Sequence, residues 1–413
     1  MEGADSPCRM MRRDAPGRRI VRRGRNPQMK ISDIDVLVAH PPRGKNFIFV
    51  KITTDNGIVG WGEAYTQADR DRSIVAHIEE MKRYLIGRDP FHIRHFTHIA
   101  YEDFATKRGS MDFHCAVSGI EIAMWDVVGK ALDQPVYNLL GGPVRPRIRV
   151  YANGWGDGAK TPDAMAKAAL QIVDRGYTAM KFDPFPGPWR PYVDAAELEQ
   201  AAAAVGAIRQ AVGPRVELLV EVHRRLAPMN AVHVAQMIEK YRPYWFEEPI
   251  PSENLKAMAE VRSKIKIPVV TGEALYTRTE FREVLELRAA DILNPDICNT
   301  GGILELVHIA AMAEPFYVGV SPHGWNTTSI GLAAAVHASA VIPNFLIYEY
   351  MVALESWCQE ISINPLKAEG GYIELPNRPG LGVDIDEKKL AMYPHKQFPP
   401  RSIRTVEDER KYH

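Results

Sequence analysis

Glu221, Glu247 and Glu273 recur at an interval of 26 residues. Each follows a short apolar run: Leu218-Leu219-Val220, Tyr244-Trp245-Phe246, and Val269-Val270 ahead of Thr271-Gly272. That interval is about the length of one strand, one helix and two short loops. Three acids at the C-terminal ends of successive parallel strands converge at one mouth of a barrel. Converging carboxylates repel, so the arrangement calls for a cation between them. An all-oxygen donor set with room for water and a substrate oxygen suits Mg²⁺. Three unrelated surface acids are the plainer alternative.

Histidines complete the chemistry. His323, in Val320-Ser321-Pro322-His323-Gly324, closes a seventh candidate strand, and Asp296, in Asn294-Pro295-Asp296, closes the sixth. Neighbouring strands bring the two within reach. An aspartate that accepts from one imidazole nitrogen sets the tautomer and raises the basicity of the other. Such a dyad facing a metal suits abstraction of a weakly acidic C–H proton; separate loop caps are the alternative. His223, two residues after Glu221, shares its facing if strand geometry persists, and would then donate a proton to a leaving hydroxyl. Lys181, in Met180-Lys181-Phe182-Asp183-Pro184, ends the second strand as a base or as a clamp on a carboxylate, unless Asp183 pairs with it. Glu349, after Leu346-Ile347-Tyr348, would hydrogen-bond a substrate carboxylate or hydroxyl. Glu349, Lys181 and Asp183 are thus the expected substrate-binding group.

The elements that must position these residues can be read from periodicity. From Lys30 to about Gly60 apolar residues alternate, with an Asp55-Asn56-Gly57 turn, which predicts an antiparallel sheet of about three strands. From Asp69 to about Leu140 the period becomes helical, so the first unit is α+β. After Leu139-Leu140-Gly141-Gly142 strand and helix alternate strictly, with strands ending near Tyr151, Lys181, Glu221, Glu247, Glu273, Asp296, His323 and Glu349. The expected fold is therefore α/β: a (β/α)8 TIM-type barrel preceded by an α+β domain. The expected boundaries are a basic, disordered extension over 1–28, the α+β domain over 29–145, the barrel over 146–356, and a segment returning to the first domain over 357–413.

Composition excludes several classes. Lys plus Arg equals Asp plus Glu at 51 each, so no global field recruits nucleic acid or an anionic membrane. The Arg-rich head between Arg9 and Arg25 is the one local exception. It has no apolar core of the length a secretory signal needs. Cys8, Cys115, Cys298 and Cys358 show no zinc-like or disulfide spacing, as in a reduced, cytoplasmic chain. The Leu332–Ile347 stretch is too short and interrupted to span a bilayer. Gly141-Gly142 and Gly301-Gly302 match neither a P-loop nor a dinucleotide fingerprint, and Ser321 lacks a nucleophile-elbow context.

Several motifs together carry a family resemblance. They are Asp55-Asn56-Gly57-Ile58-Val59-Gly60-Trp61-Gly62-Glu63, Trp125-Asp126-Val127-Val128-Gly129-Lys130, Leu139-Leu140-Gly141-Gly142, Phe246-Glu247-Glu248-Pro249, Thr271-Gly272-Glu273 and Gly301-Gly302-Ile303. Over roughly Met29 to Gly380 the chain resembles the enolase superfamily, in the mandelate racemase/muconate lactonizing enzyme branch that includes acid-sugar dehydratases. The resemblance implies a modified (β/α)8 TIM-type barrel with an α+β capping domain, and that Glu221, Glu247 and Glu273 hold Mg²⁺, the first being more often aspartate. It also implies that Asp296 and His323 form the base and that Glu349 contacts substrate. Lys181-x-Asp183 departs from the Lys-x-Lys of the branch's racemases. Glu221-x-His223 is similar to galactonate and mannonate dehydratases, whose equivalent histidine is the acid, and Asp296 favours the galactonate pattern.

The implied activity is Mg²⁺-dependent dehydration of a sugar acid (aldonate or aldarate) to a 2-keto-3-deoxy acid through an enediolate, by a cytoplasmic homo-oligomer. The implied partner is a small carboxylate, with no nucleic acid or membrane. Alternatives are an epimerase or racemase of an α-hydroxy or α-amino acid, and a non-catalytic relative that binds a sugar acid or, through the Arg-rich head, nucleic acid. Loops around Pro41–Lys45 and Pro184–Arg190 are expected to shape specificity.

Overall fold

Eight parallel strands form the centre of the molecule, and three antiparallel strands precede them. The computed structural model describes residues 29–66, 70–104, 109–185, 190–325, 327–397 and 406–409. The Arg-rich head and the middle of the Pro184–Arg190 loop lie outside the described residues.

The antiparallel sheet comprises β1 (Ile31–Ala39), β2 (Phe47–Thr54) and β3 (Val59–Ala64), paired in that order. The 22-residue helix Met111–Leu132 packs on it, capped by Ser110, whose hydroxyl accepts from Phe113 N. Glycines permit the contact: a Cβ on Gly62 would overlap the Gly119 carbonyl, and one on Gly60 would overlap Ala123. The Gly60-Trp61-Gly62 motif is thus a helix-docking surface. Asp126 of that helix accepts from Trp61 N at 2.9 Å and from Leu381 N at 2.7 Å.

The parallel strands are β4 (Arg147–Asn153), β5 (Ala179–Phe182), β6 (Glu217–Glu221), β7 (Trp245–Glu247), β8 (Val269–Thr271), β9 (Ile292–Leu293), β10 (Gly319–Val320) and β11 (Tyr348–Met351). They run β10-β9-β8-β7-β6-β5-β4-β11. A parallel bridge between Val320 and Phe345 joins β10 to the segment entering β11 and closes the barrel. The local sequence starts the helices where expected. Thr161 caps Pro162–Asp174 with proline in the first turn, and Asp194 with Glu197 forms a capping box for Ala195–Val212. Strands β8, β9 and β10 stop two or three residues short of Glu273, Asp296 and His323, which stand in the loops above them.

The last segment touches both units. Tyr372–Glu374 pairs with the outer end of β4, Glu387 meets Lys51 at 2.6 Å, and Tyr393 O accepts from His40 N at 2.9 Å. Cys115, Cys298 and Cys358 are free thiols. Among the described residues no helix is long and apolar enough to cross a membrane.

Candidate active site

The barrel interior is built in layers. Tyr151, Ala179, Leu219, Trp245, Val270, Ile292 and Ile347 form a buried apolar floor. Two residues further along, on the same face of the strands, stand Asn153, Lys181, Glu221, Glu247, Asn294 and Glu349. All six are buried. The apolar floor shields the charges above it from water and strengthens their interactions.

Glu221 and Glu247 are register partners on adjacent strands. With Glu273 they present three carboxylate oxygens within 4.8 Å of one another. Lys181 Nζ lies among them, 2.7 Å from Glu247 Oε1, 3.1 Å from Glu349 Oε1 and 3.3 Å from Glu221 Oε2. Arg224 bonds Glu273 from the other side and lies 3.7 Å from Glu248. Five buried glutamates thus face two fixed cations. Burial, and next Glu221, push the Glu247 carboxyl well above the usual range despite Lys181. The Glu273 carboxyl, although buried, is held below that range by Arg224, His323 and Lys181. Glu247 Oε2 is buried with no hydrogen-bond partner, and Glu221 Oε2 has only the Lys181 ion pair at 3.3 Å. Convergent carboxylates short of positive charge, with a bare oxygen, fit a hard divalent cation.

Two histidine–aspartate pairs flank this cluster. His323 Nδ1 lies 2.7 Å from Asp296 Oδ2, and its Nε2 lies 3.1 Å from Glu273 Oε2 and 3.6 Å from Glu349 Oε2. Burial lowers the His323 pKa, but Glu273, Glu349 and Asp296 together raise it to about 9. Asp296 Oδ1 accepts from Cys298 N at 2.7 Å, which fixes the carboxylate plane. His223 Nδ1 lies 2.8 Å from Asp183 Oδ2. Burial pulls the His223 pKa down, and Glu221 and Asp183 more than compensate.

All nine expected residues gather at this mouth, though not always as strand periodicity predicts. β6 ends at Glu221, and His223 and Arg224 have φ of 53° and 61°. The left-handed backbone, rather than continued strand alternation, turns His223 inward. Glu221 Oε1 holds this turn by accepting from Val222 N at 2.9 Å and His223 N at 2.7 Å. Lys181 meets glutamates, whereas Asp183 turns to His223 and Arg225.

Sequence reasoning passed over Arg224, Arg225, Glu248, Asn153, Asn294 and Tyr65. Asn294 Nδ2 donates to Glu247 at 2.9 Å, and Asn153 donates to Glu349. Glu248 accepts from Thr271 Oγ1 at 2.9 Å and Gly272 N at 2.8 Å. The Arg224-Arg225 pair beside three recurring acids was the available signal, since buried acids need counter-charge. The cap contributes Tyr65, whose ring centre is 6.4 Å from that of His323, with Lys45 Nζ 4.8 Å over the tyrosine. Arg43 of the same cap loop pairs with Asp157 of the barrel at 3.1 Å.

Comparison with known proteins agrees with this geometry. Residues 34–141 match the mandelate racemase/muconate lactonizing enzyme N-terminal domain, and residues 164–389 match the enolase C-terminal domain-like family. The chain is 37% identical over 355 residues to a D-galactonate dehydratase of Ralstonia nicotianae, covering 84% of this chain and 90% of that protein. It is 36% identical over 351 residues to a D-gluconate dehydratase of Thermoproteus tenax, covering 84% of this chain and 69% of that one. The crystal structure of a mandelate racemase/muconate lactonizing enzyme from a Sulfitobacter species superimposes with a TM-score of 0.84 at 36% identity, covering 89% of this chain and 96% of that one. With both domains matched and the acid cluster at the barrel mouth, the chain belongs to the mandelate racemase/muconate lactonizing enzyme family of the enolase superfamily.

Proposed function

We propose that the protein is a Mg²⁺-dependent dehydratase of a sugar acid, an aldonate or aldarate, that forms a 2-keto-3-deoxy acid. The observation that carries this reading is the pair of imidazoles on the acid cluster, each hydrogen-bonded to its own aspartate. Elimination of water needs one group to take the α-proton and another to protonate the departing β-hydroxyl, and two independently oriented histidines meet that need.

Glu221, Glu247 and Glu273 would hold the metal. Bound Mg²⁺ supplies a charge that binds the substrate carboxylate and offsets the negative charge developing on it. His323, with Nδ1 on Asp296, presents Nε2 to the α-carbon and takes its proton, giving an enediolate. His223, with Nδ1 on Asp183, gives its Nε2 proton to the β-hydroxyl as the C–O bond breaks, and water leaves. The enol then tautomerises to the ketone. Lys181 and Glu349 orient the carboxylate end and balance its charge. Lys181 lies among Glu247, Glu349 and Glu221, which hold it as a charged ammonium despite burial, and this disfavours it as a second base for epimerisation.

The test is a library of aldonates and aldarates incubated with the Mg²⁺-loaded protein, with detection of 2-keto-3-deoxy products and EDTA as control. A metal-dependent keto product is expected. Deuterium exchange at the α-carbon without any keto product would overturn dehydration in favour of epimerisation.

A further inference from the structure

We propose that Asp183 is the positioning residue of the acid step: it holds the His223 ring so that Nε2 faces the leaving hydroxyl and Nδ1 keeps its proton throughout. The inference rests on the reading of His223 as the acid.

The geometry is that of a second dyad, built differently from the first. Asp183 Oδ2 takes His223 Nδ1 at 2.8 Å and also a guanidinium nitrogen of Arg225. Asp183 Oδ1 accepts from Phe185 N at 2.9 Å. Arg225 is itself anchored, with Nε donating to Val222 O at 2.8 Å and Nη1 to Phe185 O at 3.2 Å. The Arg225 guanidinium and Phe185 N already donate to this carboxylate, and a carboxylate only accepts, so its partner on the ring is an Nδ1–H. The Arg225 guanidinium lies 3.3 Å from Nδ1, and a ring nitrogen carrying a proton there donates to Asp183, not to Arg225.

Exposure separates the two dyads by task. The side chains of His323 and Asp296 are 3% and 0% exposed, whereas those of His223 and Asp183 are 33% and 22% exposed. A base that must hold a proton away from water benefits from burial. An acid that must be recharged on every turnover benefits from contact with solvent. Because the backbone at His223 is already left-handed, strand geometry does not aim the ring, and the Asp183 bond holds Nδ1 on one side of it.

Asp183→Asn, isosteric and checked for an unchanged melting curve, separates this role from a structural one. Its amide can present a donor to Nδ1 and so favours the opposite tautomer. The Mg²⁺-loaded, full-length enzyme is assayed in deuterium oxide on a sugar acid turned over by the wild type. Water loss should fall about 10²-fold or more, with KM changed less than about threefold. Exchange of the α-proton into unreacted substrate should persist, because His323 and Asp296 are untouched, so the ratio of exchange to elimination rises. His223→Ala should show the same ratio change. Wild-type elimination in Asp183→Asn, with His223→Ala impaired, would overturn the positioning role alone. Wild-type elimination in His223→Ala would remove the acid assignment and this inference with it. A second measurement needs no substrate: ¹⁵N NMR of the neutral His223 imidazole should show Nδ1 protonated in the wild type and a shift toward Nε2 in Asp183→Asn. A protonated Nε2 and bare Nδ1 in the wild type would also overturn the proposal.

Discussion

Glu121, on the cap's long helix, accepts a hydrogen bond from the backbone N–H of Ile303 at 2.8 Å. Ile303 opens the barrel helix Ile303–Ala313, whose Gly302 cap has no side chain to satisfy that turn. The same carboxylate takes Leu304 N at 3.0 Å and Trp125 Nε1 at 2.8 Å. Glu63, at the end of β3, repeats the device on the helix Ser329–Val341, accepting from Thr328 N at 2.7 Å, Thr328 Oγ1 at 2.8 Å and Gly331 N at 2.8 Å. Two cap carboxylates thus serve as the N-terminal caps of two barrel helices. A helix start left buried without such partners is costly.

Removing one of them should loosen the cap. In Glu121→Ala, one buried and two partly buried donors lose their acceptor, at about 3 kcal/mol in total. For a chain of this size that lowers the melting temperature on the order of 5 °C. Differential scanning calorimetry checks this, and an unchanged melting temperature would count against the carboxylate as a fastener between the units.

The same two groups make stability depend on pH. Burial pushes the Glu63 and Glu121 carboxyls from 4.5 up to about 7, partly opposed by their donors. A carboxyl whose folded pKa exceeds its unfolded value binds its proton more tightly in the folded state. The stability it adds is fully present below about pH 4.5 and is lost as pH rises through about 7. The melting temperature of the wild type should therefore carry a downward component between pH 5 and pH 8. The double variant Glu63→Gln, Glu121→Gln should lack that component, and parallel pH profiles for the two proteins would refute it.

Metal binding should depend on Glu247, the middle residue of the three proposed ligands. Mg²⁺ is expected to raise the melting temperature of the wild type, and Glu247→Gln should weaken that response by at least about tenfold in metal concentration. Isothermal titration with Mg²⁺ or Mn²⁺ gives the affinities directly. Equal affinities in the two proteins would move the metal away from this cluster.

On the base side, His323→Ala should abolish α-proton exchange and water loss together, by about 10²–10⁴-fold. Asp296→Asn should impair both in the same proportion, since it acts through the imbalance it creates at His323 Nδ1. Exchange that survives in His323→Ala would assign the proton abstraction to another residue.

Much of this site was legible along the chain because strand geometry is local. Glu221 and Glu247 end β6 and β7, and adjacent parallel strands align their ends whatever the loops do. The bridge between Asp296 and His323 follows from the same neighbour relation between β9 and β10. Lys181 and Glu349 fall two residues above the apolar floor at Ala179 and Ile347, an alternation visible in the sequence. Spacing therefore placed these residues at the barrel mouth, but not His223, which reaches it through a left-handed turn, nor the partners it passed over.

Partner choice was set by the tertiary structure. Asp183 and His223 are separated by 40 residues, and their pairing needs two left-handed residues after β6. Lys181 takes Glu247 from a strand that is not its neighbour, which depends on the curvature of the closed barrel. Glu121 and Ile303, 182 residues apart, meet only once the cap has docked. Periodicity encodes the face a side chain occupies, because backbone geometry repeats over two or four residues. It does not encode which of several charges across a closed mouth a flexible side chain will select, because that depends on the field of all the others at once.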